Sequence, residues 1–218
     1  MRVMIRKARA DDAPFLAAVM LMASRSQLSY GLWDHFVNGT EAQCLSFLQR
    51  LAATKMRHLF HHDVFLIAEK DGRAAAGLSG YDPVTEGMVR FVQALPEALE
   101  GLGWSRSDFQ AAARRMSSYE RCTPEEIPGV WVVESVAAMP EARKEGLVSL
   151  LLGEILARGK AKGYGKAQIG IFTGNAAARR VYEKAGFQYV DEKRDPEFEV
   201  TYGDYGIARL MMDLHEGR

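Results

Sequence analysis

Cysteine is nearly absent from this chain. Cys44 and Cys122 are the only two in 218 residues and lie in unrelated segments, so the expectation is two free thiols in a reducing cytoplasm rather than a disulfide framework. Net charge is missing as well. The 28 Lys and Arg balance the 28 Asp and Glu, which argues against nucleic acid or an anionic membrane as the main partner. Long apolar runs are also lacking. The longest early one, Phe15 to Ala23, follows Asp11, Asp12 and Pro14; it reads as the start of a helix, too short for a membrane span, and not as a signal peptide. No internal repeat or low-complexity tract appears. What the chain does have is 48% hydrophobic residues, enough at this length for one good core, and residues 1–218 read as one domain with an insertion.

The most informative stretch is Arg143-Lys144-Glu145-Gly146-Leu147-Val148. An apolar strand, Val130 to Ala138, runs into it. A helix runs out of it from near Gly146, with Leu147, Val148, Leu151, Leu152 and Ile155 at the three-and-four spacing of a buried face. A turn at that junction points several unpaired backbone N–H groups at one spot. Together with the positive end of the helix dipole and Arg143, these are what a phosphate needs, and glycine at 146 lets a ligand approach the backbone. The competing reading is a bare strand-to-helix turn that binds nothing.

After a second strand, Lys166 to Phe172, comes Asn175-Ala176-Ala177-Ala178-Arg179-Arg180-Val181-Tyr182-Glu183-Lys184-Ala185-Gly186-Phe187. Asn175 reads as an N-cap, Ala178, Val181, Tyr182 and Ala185 as one helical face, and Gly186 as the stop. Together the two segments resemble the GNAT superfamily of acyl-CoA-dependent N-acyltransferases. The first matches its (Arg/Gln)-x-x-Gly-x-(Gly/Ala) loop at Arg143 and Gly146, and the second its Asn-x-x-Ala-x-x-x-Tyr-x-x-x-Gly-Phe helix at Asn175, Ala178, Tyr182, Gly186 and Phe187. One position departs. Val148 stands where the family usually has Gly or Ala; its N–H is available, but its side chain would crowd a phosphate.

The rest of the chain is consistent with that resemblance. Val3 to Ala8 reads as an opening strand, Asp12 to about Ser24 and Thr40 to about Leu59 as helices, and Val64 to Glu69 with Ala74 to Tyr81 as a hairpin across Lys70-Asp71-Gly72-Arg73. Residues 82–128 are too long for a plain connection and carry a helical face at Phe109, Ala112, Ala113 and Met116. Phe187 to Glu192 and Ile207 to Leu214 read as closing strands. The implied fold class is α+β: a mixed, mostly antiparallel central sheet flanked by helices, with a helical insertion before the fourth strand.

Moving an acetyl group from a thioester to an amine needs a deprotonated amine, a polarised carbonyl and a protonated leaving thiolate. The resemblance places acetyl-CoA, as co-substrate, beside the fourth strand. Backbone N–H groups at about Val136 and Ala138 would hold its pantetheine arm and carbonyl oxygen, and Arg143, Lys144, Glu145, Gly146, Leu147 and Val148 its pyrophosphate, with Asn175 adding a contact to its capping role. It also puts Tyr182 near the sulfur as general acid and Glu134 at the position that often holds the base. The alternatives are a packed tyrosine for Tyr182, a solvent-facing or salt-bridged strand residue for Glu134, and a solvated surface arginine for Arg143.

Other signals are weaker. His58 and His62 have a four-residue spacing that two metal ligands can share, but no third ligand is evident and the chemistry needs none, so no metal is expected. Gly163-Tyr164-Gly165-Lys166 lacks the spacing and Ser/Thr of a P-loop and reads as a helix stop and turn. Acceptor selection is expected in the first helical pair with Tyr30, Trp33 and Phe36, in the insertion with Trp104, and in the loop from Glu197 to Tyr205. That loop carries Glu199, Tyr202 and Asp204, groups suited to a cationic amine or simply solvated. The sequence thus reads as a cytoplasmic N-acetyltransferase acting on a primary amine of a small molecule or peptide. It implies no nucleic-acid or membrane partner and is compatible with a homodimer. The alternatives are a silent acyl-CoA-binding module, which Val148 favours, and modification of protein amino groups.

Overall fold

The computed structural model describes residues 2–215. The chain opens with strand β1 (Val3–Lys7), then helices α1 (Ala13–Arg25), α2 (Leu32–Val37) and α3 (Glu41–Ala52). Proline at the second position of α1 costs nothing there, because the first turn has no intrahelical use for that N–H. Thr40 and Gln43 cap α3 reciprocally: the Thr40 hydroxyl accepts from the Gln43 N–H at 3.3 Å, and the Gln43 amide oxygen accepts from the Thr40 N–H at 2.8 Å. Strands β2 (Phe65–Lys70) and β3 (Arg73–Tyr81) form the hairpin. Asp71 and Gly72 turn it with φ of 50° and 82°, the left-handed pair that a two-residue turn requires.

Residues 82–128 supply α4 (Pro83–Glu86), α5 (Met88–Leu99) and α6 (Arg106–Cys122). The chain then runs through β4 (Val130–Ala138), α7 (Leu147–Ala161), β5 (Lys166–Phe172), α8 (Ala176–Ala185), β6 (Gln188–Arg194), α9 (Pro196–Tyr202) and β7 (Gly206–Asp213). The seven strands make one sheet in the order β1-β2-β3-β4-β5-β7-β6, antiparallel throughout except between β4 and β5. This is the α+β architecture read from the sequence.

Period-two alternation splits the core between the two faces of the sheet. From β2, Phe65 and Ile67 join a cluster with α1 and α3, while Leu66 and Ala68 join one with α7. Leu147, Leu151, Leu152 and Ile155 bury the inner face of α7, each burial worth roughly 1.5–3 kcal/mol. The helix sits close because glycine is present on both sides of the contact. A Cβ on Gly159 would stand 2.7 Å from Trp131 ring atoms, and one on Gly80 would stand 2.4 Å from Ile155 Cγ1. Among the described residues no helix is long and apolar enough to cross a membrane.

Several elements differ from expectation. The helix expected to run from Thr40 to about Leu59 is α3 and stops at Ala52; beyond it the buried His58 ring closes a turn. Its Nδ1 accepts from the Phe60 N–H at 3.1 Å, and its Nε2 meets Thr54 Oγ1 at 2.9 Å. Residues 82–128 hold three α-helices, more than the single helical face read from the sequence. The expected loop from Glu197 to Tyr205 is largely α9, whose N-cap Asp195 accepts from the N–H groups of Glu197 and Phe198 at 2.9 and 3.2 Å. The closing strands shift by one or two residues, to Gln188–Arg194 and Gly206–Asp213.

Candidate active site

Between β4 and β5 the sheet opens. Their parallel pairing joins Val130–Val133 to Lys166–Ile169 and goes no further. At the same point β4 carries a bulge against β3. Glu134 lies opposite Ser79 and Ala137 opposite Gly77, so Ser135 and Val136 share the single partner Leu78. Ser135 takes φ of 53°, a left-handed conformation that costs a non-glycine residue on the order of 1–3 kcal/mol. The bulge fixes Glu134 from both sides: Ser79 Oγ donates to its carbonyl at 3.2 Å, and the Ser135 N–H donates to its Oε1 at 3.1 Å. Beyond the bulge the Met139 N–H returns to Ala75 O at 2.8 Å. By the alternation of an antiparallel ladder, the Ala138 N–H faces away from β3.

The opening leads into a cavity of about 1250 Å³. Glu134, Val136, Ala138, Arg143, Lys144, Gly146, Leu147, Val148, Asn175 and Tyr182 all line it. Segments from β4 to α8 are thus brought to one cleft. Glu145 is the exception among the expected residues. It does not line the cavity, because its carboxylate turns to Lys70 Nζ of β2 at 2.6 Å; only its backbone remains for a ligand.

The turn before α7 has the features of an anion cradle. Lys144 and Gly146 have φ of 65° and 81°. Among the described residues no side chain caps the helix, and its first bond runs from the Leu150 N–H to Gly146 O at 3.1 Å. The N–H groups of the first turn are therefore unclaimed by a cap, with the helix dipole behind them. Space at Gly146 is open: a Cβ there would meet no described residue within 4 Å. Arg143 is exposed, and among the described residues its side chain bonds only Ala138 O, at 3.4 Å. Val148 packs partly into the α7 core cluster, so only part of its side chain faces the cleft. Asn175 is the N-cap of α8, its Oδ1 accepting from the Ala178 N–H at 2.9 Å, and its Nδ2 donates to Ser26 Oγ at 2.6 Å. Both polar atoms of its amide thus hold the protein together.

Glu134 forms no ion pair among the described residues. Burial pushes its carboxyl above the ordinary value, the Ser135 N–H pulls it part of the way back, and the negative charge of Glu126 adds to the rise. Tyr182 is buried yet lines the cavity, and its hydroxyl bonds no other described residue. Burial first, and then the charge of Glu134, push the phenol upward, so it holds its proton. Tyr81 and Tyr119 are driven the same way by burial and by Glu134.

The charged side chains of the cleft are segregated by element. Glu120, Glu125, Glu126 and Glu134 come from α6, the segment after it and β4; Arg143, Lys144, Arg180 and Lys184 come from the turn before α7 and from α8. Sequence reasoning did not single out Glu126, Arg180 or Lys184. The i, i+4 spacing of Arg180 and Lys184 on α8 was the available signal for the basic pair. Of the expected acceptor-selecting residues, Trp33 and Phe36 line the cavity. Tyr30, Trp104 and the Glu197 to Tyr205 group do not. Glu197 pairs with Arg121 at 2.6 Å, and Asp204 is buried on Thr173, Gly174 and Gln27.

The histidine pair does not assemble as a shared metal site. Both His58 nitrogens serve the turn, and burial lowers the ring's pKa to about 4, while His62 Nδ1 meets Ala52 O at 2.8 Å. His61, His62 and Asp63 bring one ligand atom each within 4.8 Å of one another, outside the cleft. Gly163 stops α7 with φ of 92°, as read from the sequence.

The family model described as Acetyltransferase (GNAT) family matches residues 33–187. The chain belongs to that family and is an acyltransferase. Solved structures share its fold. An N-acetyltransferase from Staphylococcus aureus Mu50 is 15% identical, over 96% of this chain and 100% of its own, with a TM-score of 0.66. The ribosomal-protein-S18-alanine N-acetyltransferase from Escherichia coli is 14% identical over 98% and 94%, with a TM-score of 0.53. The PaiA N-acetyltransferase from Thermoplasma acidophilum, in complex with coenzyme A, is 13% identical over 98% and 99%, with a TM-score of 0.50. At these identities the likeness is one of fold. No curated protein matches the chain.

Proposed function

We propose that the protein, acting as one domain, transfers an acetyl group from acetyl-CoA directly to a primary amine of a small molecule or peptide, with Glu134 as base and Tyr182 as acid. The observation that carries this reading is the shared cleft: an unpaired carboxylate, a protonated phenol, an uncapped helix N-terminus and a basic wall line one cavity. Arg143, Lys144 and the backbone of 145–148 would hold the phosphates, and the N–H groups near Val136 and Ala138, the latter facing away from β3, the pantetheine and carbonyl. Acetyl-CoA supplies a thioester-activated acetyl group. Glu134 takes one proton from the ammonium. Tyr182 gives its proton to sulfur as the C–N bond forms and the C–S bond breaks, and recovers one from the nitrogen, which must shed its second proton. Burial, and after it the negative charge of Glu134, hold Tyr182 protonated beforehand.

Acetyl-CoA at a hundredfold excess over its Kd should stabilise the fold by about 2.7 kcal/mol, a Tm rise of roughly 5–10 °C for a chain of this size. Gly146→Glu should abolish that shift by placing bulk and negative charge in the cradle. Gly146→Ala imposes the same left-handed strain but opens onto free space, so it should melt lower yet keep most of the shift. Equal shifts in the wild type and Gly146→Glu would remove the cradle from the proposal. Binding without release of CoA thiol to any amine would make the protein a silent acyl-CoA-binding module.

A further inference from the structure

Glu126 is a carboxylate at the cleft with no cation on it. Its Oε1 accepts from the Tyr81 hydroxyl at 3.1 Å and its Oε2 from the Met88 N–H at 3.2 Å, and among the described residues it joins no ion pair. Its neighbour Glu125 differs, being neutralised by Lys193 Nζ at 2.5 Å. Glu134, the other half-buried carboxylate of the cleft, is also unpaired. Two fixed negative charges facing one cavity, with every basic lining residue on other elements, repel each other until a cation enters.

Much of the rest of that cavity's lining is apolar. Trp33, Phe60 and Phe91 pack edge to face, with Trp33–Phe60 and Phe60–Phe91 centroids 5.0 and 5.2 Å apart. Met88, Val92 and Phe109 line the same cavity while 44%, 54% and 41% exposed. Large apolar side chains left in water beside a cavity are surface for an apolar ligand to cover.

We propose that the acceptor is an amphipathic primary amine, an apolar body with an ammonium group, and that Glu126, held by Tyr81, anchors the ammonium before Glu134 removes its proton. This rests on the acetyl transfer proposed above. Each Glu126 oxygen keeps a lone pair after its present bond, so an ammonium N–H can be accepted with the carboxylate in place. A carboxylate added beside the amine would meet the acidic wall, and an amine without an apolar body would leave the apolar wall wet.

The test uses the full chain, acetyl-CoA and detection of released CoA thiol with 2-phenylethylamine, phenylalanine and ethanolamine. A charge-assisted hydrogen bond sets the expected scale at about tenfold or more. On that scale kcat/KM for 2-phenylethylamine should exceed that for either of the others. Glu126→Gln should raise the KM for 2-phenylethylamine by a similar factor with kcat within about twofold, and should narrow the discrimination against phenylalanine. Glu126→Asp, which keeps the charge, should recover part of both. Equal kcat/KM across the three amines overturns the acceptor class while leaving acetyl transfer standing, and it does so in the wild type, whatever the variants' folding. Release of CoA with none of them, in protein that acetyl-CoA still stabilises, likewise overturns the acceptor class. Absence of stabilisation by acetyl-CoA overturns the transfer reading and this proposal with it.

Discussion

Replacing Glu134 by Gln should lower kcat/KM by roughly 10³-fold at neutral pH, the scale on which a positioned general base acts. The substitution is close to a pure test of the charge. Glutamine keeps the side-chain oxygen that accepts from the Ser135 N–H, and the Ser79 bond goes to the backbone, so the bulge should stay as it is. Burial raises the carboxyl above its ordinary value, so wild-type activity should fall on the acid side at a higher pH than an exposed glutamate would give. The variant should lack that acid limb and recover rate as pH rises, because more acceptor arrives already deprotonated. Stability should move the other way. A glutamate whose folded pKa is raised keeps its proton in the folded state over a pH range in which the unfolded chain has lost it, so the folded state loses stability as pH rises from the unfolded pKa to the folded one. At neutral pH the ionised group is a cost, and Glu134→Gln should melt at the same temperature or higher. Wild-type rates in the variant from pH 6 to 9, a rough working range for the assay, would mean that another group or water takes the proton.

The parts legible in the sequence were those with long periodic patterns and clear punctuation. The bounds of β4 and β5, the Asn175 cap and the Gly186 stop all emerge where the pattern puts them. The short helices did not emerge: α2 has six residues and α4 four, too few for a 3.6-residue period to declare itself. Helix α9 had a signal in Asp195-Pro196, an N-cap followed by proline, but its acidic and aromatic side chains suggested an exposed loop. The bulge at Ser135 had none. Serine does not advertise a left-handed φ, and the conformation is imposed by β3 on one side and the diverging β5 on the other. For the site, Glu134 and Tyr182 came through family resemblance rather than pattern. Glu126 was invisible for a physical reason: its partner Tyr81 lies 45 residues away, and only the folding of the insertion back over β3 brings the two together.

Tyr182→Phe should lower kcat by roughly 10²-fold while leaving acetyl-CoA binding nearly unchanged, because a general acid acts mainly in the transition state. The structure makes this a clean deletion. The Tyr182 hydroxyl bonds no other described residue, and the ring, packed 6.2 Å from that of Phe187, is retained in phenylalanine. The fold therefore loses no bond, and the Tm of the variant and its shift with acetyl-CoA should match the wild type. The pH profile supplies a second readout. Burial and the charge of Glu134 hold the phenol protonated well above neutral pH, so Tyr182 should add no limb of its own to the wild-type profile, and its removal should lower the curve without changing its shape. The two single variants should also be coupled, since both groups act on the same transition state. The Glu134→Gln, Tyr182→Phe double variant should lose less than the product of the single losses. A phenylalanine variant with wild-type kcat would leave the sulfur to be protonated by solvent and reduce Tyr182 to a packed ring on α8, and a variant that instead loses acetyl-CoA affinity with kcat intact would make the hydroxyl a binding group rather than an acid.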